Sequence, residues 1–248
     1  MESYLDLGAC YYDSIRVEPP EEAYAFYRSY VSESSGLILE PMCGSGRFLL
    51  PLVKEGFSVH GFDASSYMLA SLHHKAQQQE LSPCVSQGLI ETFQSHEQYS
   101  LIFIPSGSFG HIIDTNALQQ ALENMHHLLE PGGLFIFEVE TSHMLPKELG
   151  VIITDEKKIN QDELIRVERC FGREGDIAFS KDKYELYRNG QLIKTEHEQL
   201  HIRLYDQLDG LISLLDNTGF KQIKTIKAFD RSMPPEEAAK SIIVECMK

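Results

Sequence analysis

Leu37-Ile-Leu-Glu-Pro-Met-Cys-Gly-Ser-Gly-Arg-Phe-Leu-Leu50 decides the fold. A short apolar run ends in an acid, Glu40, and the chain then turns through Cys43-Gly-Ser-Gly46 into a helical pattern starting near Arg47. Glycines let the backbone approach a ligand, and a helix start presents unpaired N–H groups with partial positive charge. A nucleotide P-loop would end in Gly-Lys-Ser/Thr, which this loop lacks, so ATP and GTP are disfavoured. The dinucleotide fingerprint would run Gly44-Ser-Gly46-Arg-Phe-Leu49 and lacks its third glycine, which leaves a nicotinamide cofactor as the alternative.

Outward from this loop, Ser58–Phe62, Cys84-Val85, Ser100–Ile104 and Leu134–Val139 are further β-like runs separated by helical patterns. That alternation predicts βαβ units around a mostly parallel sheet. Leu118, Ala121, Leu122, Met125 and Leu129 follow helical spacing, with Asp114 or Thr115 as N-cap and Pro131-Gly-Gly133 as stop. Upstream, Glu21 to Val31 reads as a helix with Tyr24, Tyr27, Arg28 and Val31 on one face, expected over the sheet's C-terminal edge. After Gly150 the pattern becomes antiparallel. Asn189-Gly190 is a two-residue hairpin turn, and the register it imposes sets Tyr187 against Leu192, Glu185 against Lys194 and Lys183 against Glu196, the opposite charges supporting the turn. A helix at Gln207–Asn217 and strands at Lys221–Ile226 and Ser241–Cys246 close the chain. The expected organisation is a lid and cofactor-binding α/β core over 1–149, an antiparallel β insertion shaping the acceptor site over 150–205, and completion of the core over 206–248.

The strand–acid–loop segment resembles motif I of class I S-adenosylmethionine-dependent methyltransferases. The resemblance implies a Rossmann-like, doubly wound, seven-stranded sheet and assigns the amino-acid end of S-adenosylmethionine to Glu40, Cys43, Gly44 and Gly46, with Arg47 beside them. Met42 stands where the family usually has its first glycine. Asp63, closing the next strand ahead of Ala64, matches the family's ribose-binding acid, and a carboxylate there suits a vicinal diol. The adenine-contacting acid is absent: Leu89 takes its place, and Gln87 or backbone groups are expected to substitute. Glu130-Pro-Gly-Gly-Leu-Phe-Ile-Phe137 is similar to the family's passage into strand five.

Methyl transfer from a sulfonium requires alignment and, for a protonated acceptor, a base. Pro105-Ser-Gly-Ser-Phe-Gly-His-Ile112 is the candidate acceptor loop, and it resembles the Gly-His-apolar stretch of amino-sugar N,N-dimethyltransferases. His111 is the candidate base, with Ser108 facing the acceptor and Pro105 the cofactor. Glu138 and Glu140, at the end of the fifth β-like run, are read as pointing to opposite faces, so that only one is expected to reach the cleft, and Glu140 is taken to orient a cationic amine. Tyr11, Tyr12 and Asp13 are similar to the Tyr-Tyr-Asp lid of such enzymes, Tyr12 over the cofactor and Tyr11 over the acceptor. Arg166, Arg169, Arg188 and Arg203 read mainly as sheet-surface charges.

The bulk numbers narrow the class of partner without selecting a substrate. A net charge of −15, from 37 acidic against 22 basic residues with no basic run, disfavours polyanionic partners such as nucleic acid. No run approaches the roughly 18 apolar residues of a membrane span, and the N-terminus lacks a signal-peptide pattern. Five scattered cysteines without a C-x-x-C pair suggest neither a disulfide framework nor a zinc site. His73-His74 and His126-His127 project about 100° apart on a helix and imply no metal. The expectation is a cytoplasmic enzyme, as a monomer or homodimer, acting on a small molecule with nitrogen slightly favoured over oxygen. A non-catalytic cofactor-binding protein on the same fold is a further alternative.

Overall fold

The computed structural model describes residues 4–248. Its central sheet is built from β1 (Ile38–Pro41), β2 (Val59–Asp63), β3 (Cys84–Gln87), β4 (Tyr99–Ile104), β5 (Leu129–Glu140), β10 (Lys221–Lys227) and β11 (Ser241–Met247), in the order β10-β11-β5-β4-β1-β2-β3. The strands from β3 to β5 run parallel, while β11 lies antiparallel to both β5 and β10. The expected doubly wound architecture is thus present.

Side-chain alternation explains why both faces are covered. Successive residues of a strand point to opposite faces. Leu39, Ile102, Ile104, Phe135 and Phe137 pack with α5 (Thr115–Leu128) and α6 (Asp209–Thr218), whereas Ile38, Leu101, Phe103 and Ile136 pack with α2 (Glu21–Glu33), α3 (Leu49–Lys54) and α4 (Ser66–Gln78). In α5 the buried positions are Leu118, Ala121, Leu122, Met125 and Leu128, and the Asp114 side chain caps the helix by accepting from the Ala117 N–H. α2 lies on the sheet face, not over its C-terminal edge, because Ala23, Phe26, Tyr27, Tyr30 and Val31 give it a broad apolar stripe that only a sheet face can bury. Tyr24 and Arg28, expected on that stripe, instead reach Glu55.

A second sheet, β6 (Ile152–Lys158), β7 (Glu163–Glu174), β8 (Ile177–Arg188) and β9 (Gln191–Arg203), is antiparallel throughout. Asn189 and Gly190 both have positive φ, +49° and +76°, as a tight hairpin turn requires. Tyr187 faces Leu192 as expected, but a bulge next to that pair shifts the register by one. Leu186 therefore opposes Lys194 and Glu185 opposes Thr195, so the anticipated cross-strand ion pairs do not form. Lys183 and Lys194 pair along their own strands instead, with Glu185 and Glu196. Arg169 is no surface charge: it clamps the fully buried Asp182 through two hydrogen bonds of 2.8 Å.

α1 (Asp6–Ile15) joins the second sheet to α4 and the loop after β1. Its Tyr11 hydroxyl donates to Asp155, and the Leu5 and Leu7 N–H groups donate to Glu198 and Glu196. On the other side Asp13 accepts from Ser45, Ser71 and Lys75. Among the described residues no helix is long and apolar enough to cross a membrane.

Candidate active site

The loop after β1 folds back on β2. The Cys43 N–H donates to the Phe62 carbonyl at 3.0 Å and the Gly44 N–H to Asp63 Oδ2 at 2.8 Å. Three residues have left-handed backbones: Met42 at φ +57°, Gly44 at +55° and Gly46 at +79°. Met42 thus adopts the conformation that a glycine would adopt at lower cost, and the turn keeps its shape despite the substitution. A Cβ on Gly46 would lie 2.9 Å from Leu50 and Leu72, whereas one on Gly44 would meet nothing within 4 Å. Gly46 therefore serves helix packing and Gly44 faces open space. The following helix begins at Leu49, later than expected, and has six residues.

The charged groups of the loop are poised but unpaired. Glu40 is only 2% exposed, and its Oε2 has no hydrogen-bond partner among the described residues. Burial raises its pKa well above the ordinary carboxylate value, partly opposed by Arg47. The Arg47 guanidinium lies over the Tyr12 ring at 5.8 Å, donates from Nη2 to Ser106 Oγ, and keeps a buried, unpartnered Nε. Buried charges without partners are costly. An acid and a base both left unsatisfied at one loop suit a zwitterionic ligand. Asp63 is also pushed up by burial, but its carboxylate accepts N–H bonds from Gly44 and Ser65 that pull the other way.

These groups line one cavity of about 400 Å³. Tyr12, Glu40, Cys43, Gly44, Arg47, Asp63, Ala64 and Pro105 are in its wall, as are Ser108 and His111. Gly46 is not, being packed against Leu50 and Leu72. Gln87 is not either: its amide donates to the Ala64 carbonyl, tying β3 to β2. Leu89, 51% exposed, lines the cavity beside Gly88, Ile90 and Glu91. Tyr11 points away into the second sheet, where its ring packs on Tyr184. Glu140 also stays out of the cavity wall. Residues two apart on a strand share a face, so Glu138 and Glu140 lie together behind the acceptor loop and neither is singled out. Glu138 accepts from the Ser106 N–H at 2.8 Å. Burial, then the neighbouring Glu138, pushes Glu140 to about 7. Tyr4 and Ser106 are wall residues that the sequence did not disclose.

His111 sits at the end of a 3-10 turn, Ser108–His111. Its Nδ1 lies 2.7 Å from the carbonyl oxygen of His201 in β9. A carbonyl oxygen only accepts, so the proton resides on Nδ1 and Nε2 is left as the free acceptor. Burial lowers the His111 pKa, which keeps the ring neutral at pH 7. The same strand supports the loop elsewhere: Arg203 donates to the Ile113 carbonyl, and Ile202 packs against Gly110.

A strand-end acid, a left-handed glycine loop and a second strand-end acid around one cavity on this sheet define the cofactor half of a class I methyltransferase. Residues 38–133 match the family described as a methyltransferase domain. YqeM of Bacillus subtilis (strain 168) is 21% identical over 231 residues, covering 93% of this chain and 92% of that protein. An S-adenosylmethionine-dependent methyltransferase from Clostridium acetobutylicum ATCC 824 superimposes with a TM-score of 0.75 at 20% identity, over 95% of both chains. The sugar N-methyltransferase KedS8 from Streptoalloteichus sp ATCC 53650 does so with a TM-score of 0.72 at 17% identity, over 90% of this chain and 86% of that one. At such identities the superpositions establish the fold, and the family match runs from β1 to the start of β5. Residues 38–133 form a methyltransferase domain, and over nearly its whole length the chain is similar to S-adenosylmethionine-dependent methyltransferases.

Proposed function

We propose that the enzyme methylates a small-molecule acceptor, with an amine nitrogen favoured over a hydroxyl oxygen. The observation carrying this reading is the fixed tautomer of His111, a residue that lines the same cavity as Glu40, Arg47 and Asp63. The unpartnered Glu40 Oε2 and Arg47 Nε fit the ammonium and carboxylate of the cofactor's amino-acid end. Asp63 fits the ribose diol, and the apolar Leu89 and Ile90 fit the adenine. When bound, S-adenosylmethionine supplies an electrophilic methyl group on a sulfonium. His111 would take a proton from the acceptor ammonium, leaving a free amine to receive the methyl group that the cofactor would supply. The sugar N-methyltransferase activity named for KedS8 is in keeping with a nitrogen acceptor. The second sheet shapes the acceptor side through β9, and the surface charge of −15 suits a freely diffusing small substrate better than nucleic acid.

The test joins binding to turnover. S-adenosylhomocysteine is expected to raise the melting temperature and NAD to leave it unchanged. A screen of amino and hydroxyl compounds, read by S-adenosylhomocysteine release, is expected to find amines turned over faster. His111→Ala should lower turnover on the best amine by on the order of 100-fold, with cofactor affinity kept within two-fold. Release at background for every compound would leave a cofactor-binding protein without this activity, and hydroxyl compounds reacting faster would reverse the preference.

A further inference from the structure

Ser106 is one of the non-glycine residues with a left-handed backbone. It follows β4 with φ +61°, and Gly107 continues at +69°, so two successive residues are left-handed. A serine pays a penalty there that glycine would not. The position would accept glycine: its N–H donates to Glu138 Oε2, a bond that needs no side chain. What glycine could not supply is the hydroxyl, which accepts from Arg47 Nη2 at 2.5 Å. Arg47 has its other anchors in ring faces, those of Tyr12 at 5.8 Å and Phe48 at 5.4 Å, which fix position more than direction.

The geometry points to Ser106 as a positioning residue for the cofactor: its hydroxyl aims the Arg47 guanidinium at the carboxylate of the amino-acid end, and Glu138 holds Ser106 in the strained conformation that this requires. The inference rests on the reading of Arg47 as the carboxylate-binding residue. It links the end of β5 to the β1 loop through Glu138, Ser106 and Arg47, and so ties the loop that carries His111 to the grip on the cofactor. A hydroxyl that accepts from a guanidinium leaves the remaining N–H groups free to converge on an anion, and the pair is charge-assisted.

Two ligands and two variants test it. S-adenosylhomocysteine has the amino-acid end, and 5′-methylthioadenosine keeps the nucleoside without it. Affinities are measured by calorimetry for the wild-type protein, Ser106→Gly and Arg47→Met, and melting temperatures are taken without ligand. Ser106→Gly is expected to weaken S-adenosylhomocysteine by about 10-fold, to leave methylthioadenosine within two-fold, and to leave the melting temperature unchanged or raised. Equal weakening of both ligands by Ser106→Gly, or no change in either, would overturn the assignment. If Arg47→Met shows no selective loss of S-adenosylhomocysteine, the carboxylate reading of Arg47 has failed. Selective loss in Arg47→Met but not in Ser106→Gly refutes the role of Ser106 alone.

Discussion

Replacing Glu40 by glutamine separates what this carboxyl does for the ligand from what it costs the fold. The side chain is 2% exposed with an unpartnered Oε2, and burial holds its pKa well above the usual value. A hydrogen bond from the cofactor ammonium to the ionised carboxylate contributes about 1.5–3 kcal/mol, so glutamine should weaken S-adenosylhomocysteine by on the order of 10- to 100-fold. At a ligand concentration of about 100 Kd the wild-type fold gains ~2.7 kcal/mol, and a 10-fold weaker complex gains ~1.4. At roughly 2–4 °C per kcal/mol for a chain of this size, the ligand-induced rise in Tm shrinks by about 3–5 °C. Without ligand the sign reverses. A carboxyl whose folded pKa is raised binds more protons folded than unfolded, so its contribution is full below the unfolded value of 4.5 and is lost as pH rises through the folded value. The ligand-free wild-type Tm should therefore decline with pH across that window more than that of Glu40→Gln, and cofactor binding should release a proton, visible as a buffer-dependent enthalpy. Scanning calorimetry at several pH values, with and without S-adenosylhomocysteine, reads both effects. An undiminished ligand shift in Glu40→Gln, or a ligand-free Tm well below wild type at every pH, would refute the reasoning.

Two further perturbations address the supports of the site. Gly110→Ala places a Cβ 2.5 Å from Ile202 Cγ1 and 3.0 Å from the Arg203 carbonyl, so it should cost about 1–3 kcal/mol. Adding Ile202→Ala should recover part of that loss in Tm, and a double variant less stable than the sum of the singles would exclude the contact as the cause. Asp182→Ala leaves Arg169 without its partner inside the second sheet and should lower stability by about 3 kcal/mol or more, measured by urea unfolding. A loss under ~1 kcal/mol would make the pair incidental.

The α/β core was legible because its signals are local. Glu40 and Asp63 end apolar runs, Asp114 caps a regular apolar stripe, and Asn189-Gly190 allows one tight turn. What escaped the sequence depends on contacts between distant segments. The bulge beside Tyr187 changes a register that turn chemistry alone sets to its simplest value. Tyr11 and Tyr12 are adjacent on a helix, and only the placement of the second sheet sends one to Asp155 and the other to the cavity. Gln87 is spent on the Ala64 carbonyl, a partner 23 positions away. Ser106 reads only as part of the acceptor loop, since nothing in Pro-Ser-Gly marks a left-handed serine that reaches Arg47. The disposition of Glu138 and Glu140 was available from strand periodicity, and their shared face follows from it directly.

The second sheet meets His111 through a main-chain atom, the carbonyl oxygen of His201. Amino-acid replacements along β9 therefore leave the histidine's partner in place so long as the strand keeps its path, because every residue carries the same carbonyl. The surroundings of His111 can then drift in shape and charge while the proton on Nδ1 stays where it is, so point substitutions along β9 reshape this side of the cavity without changing the histidine's tautomer.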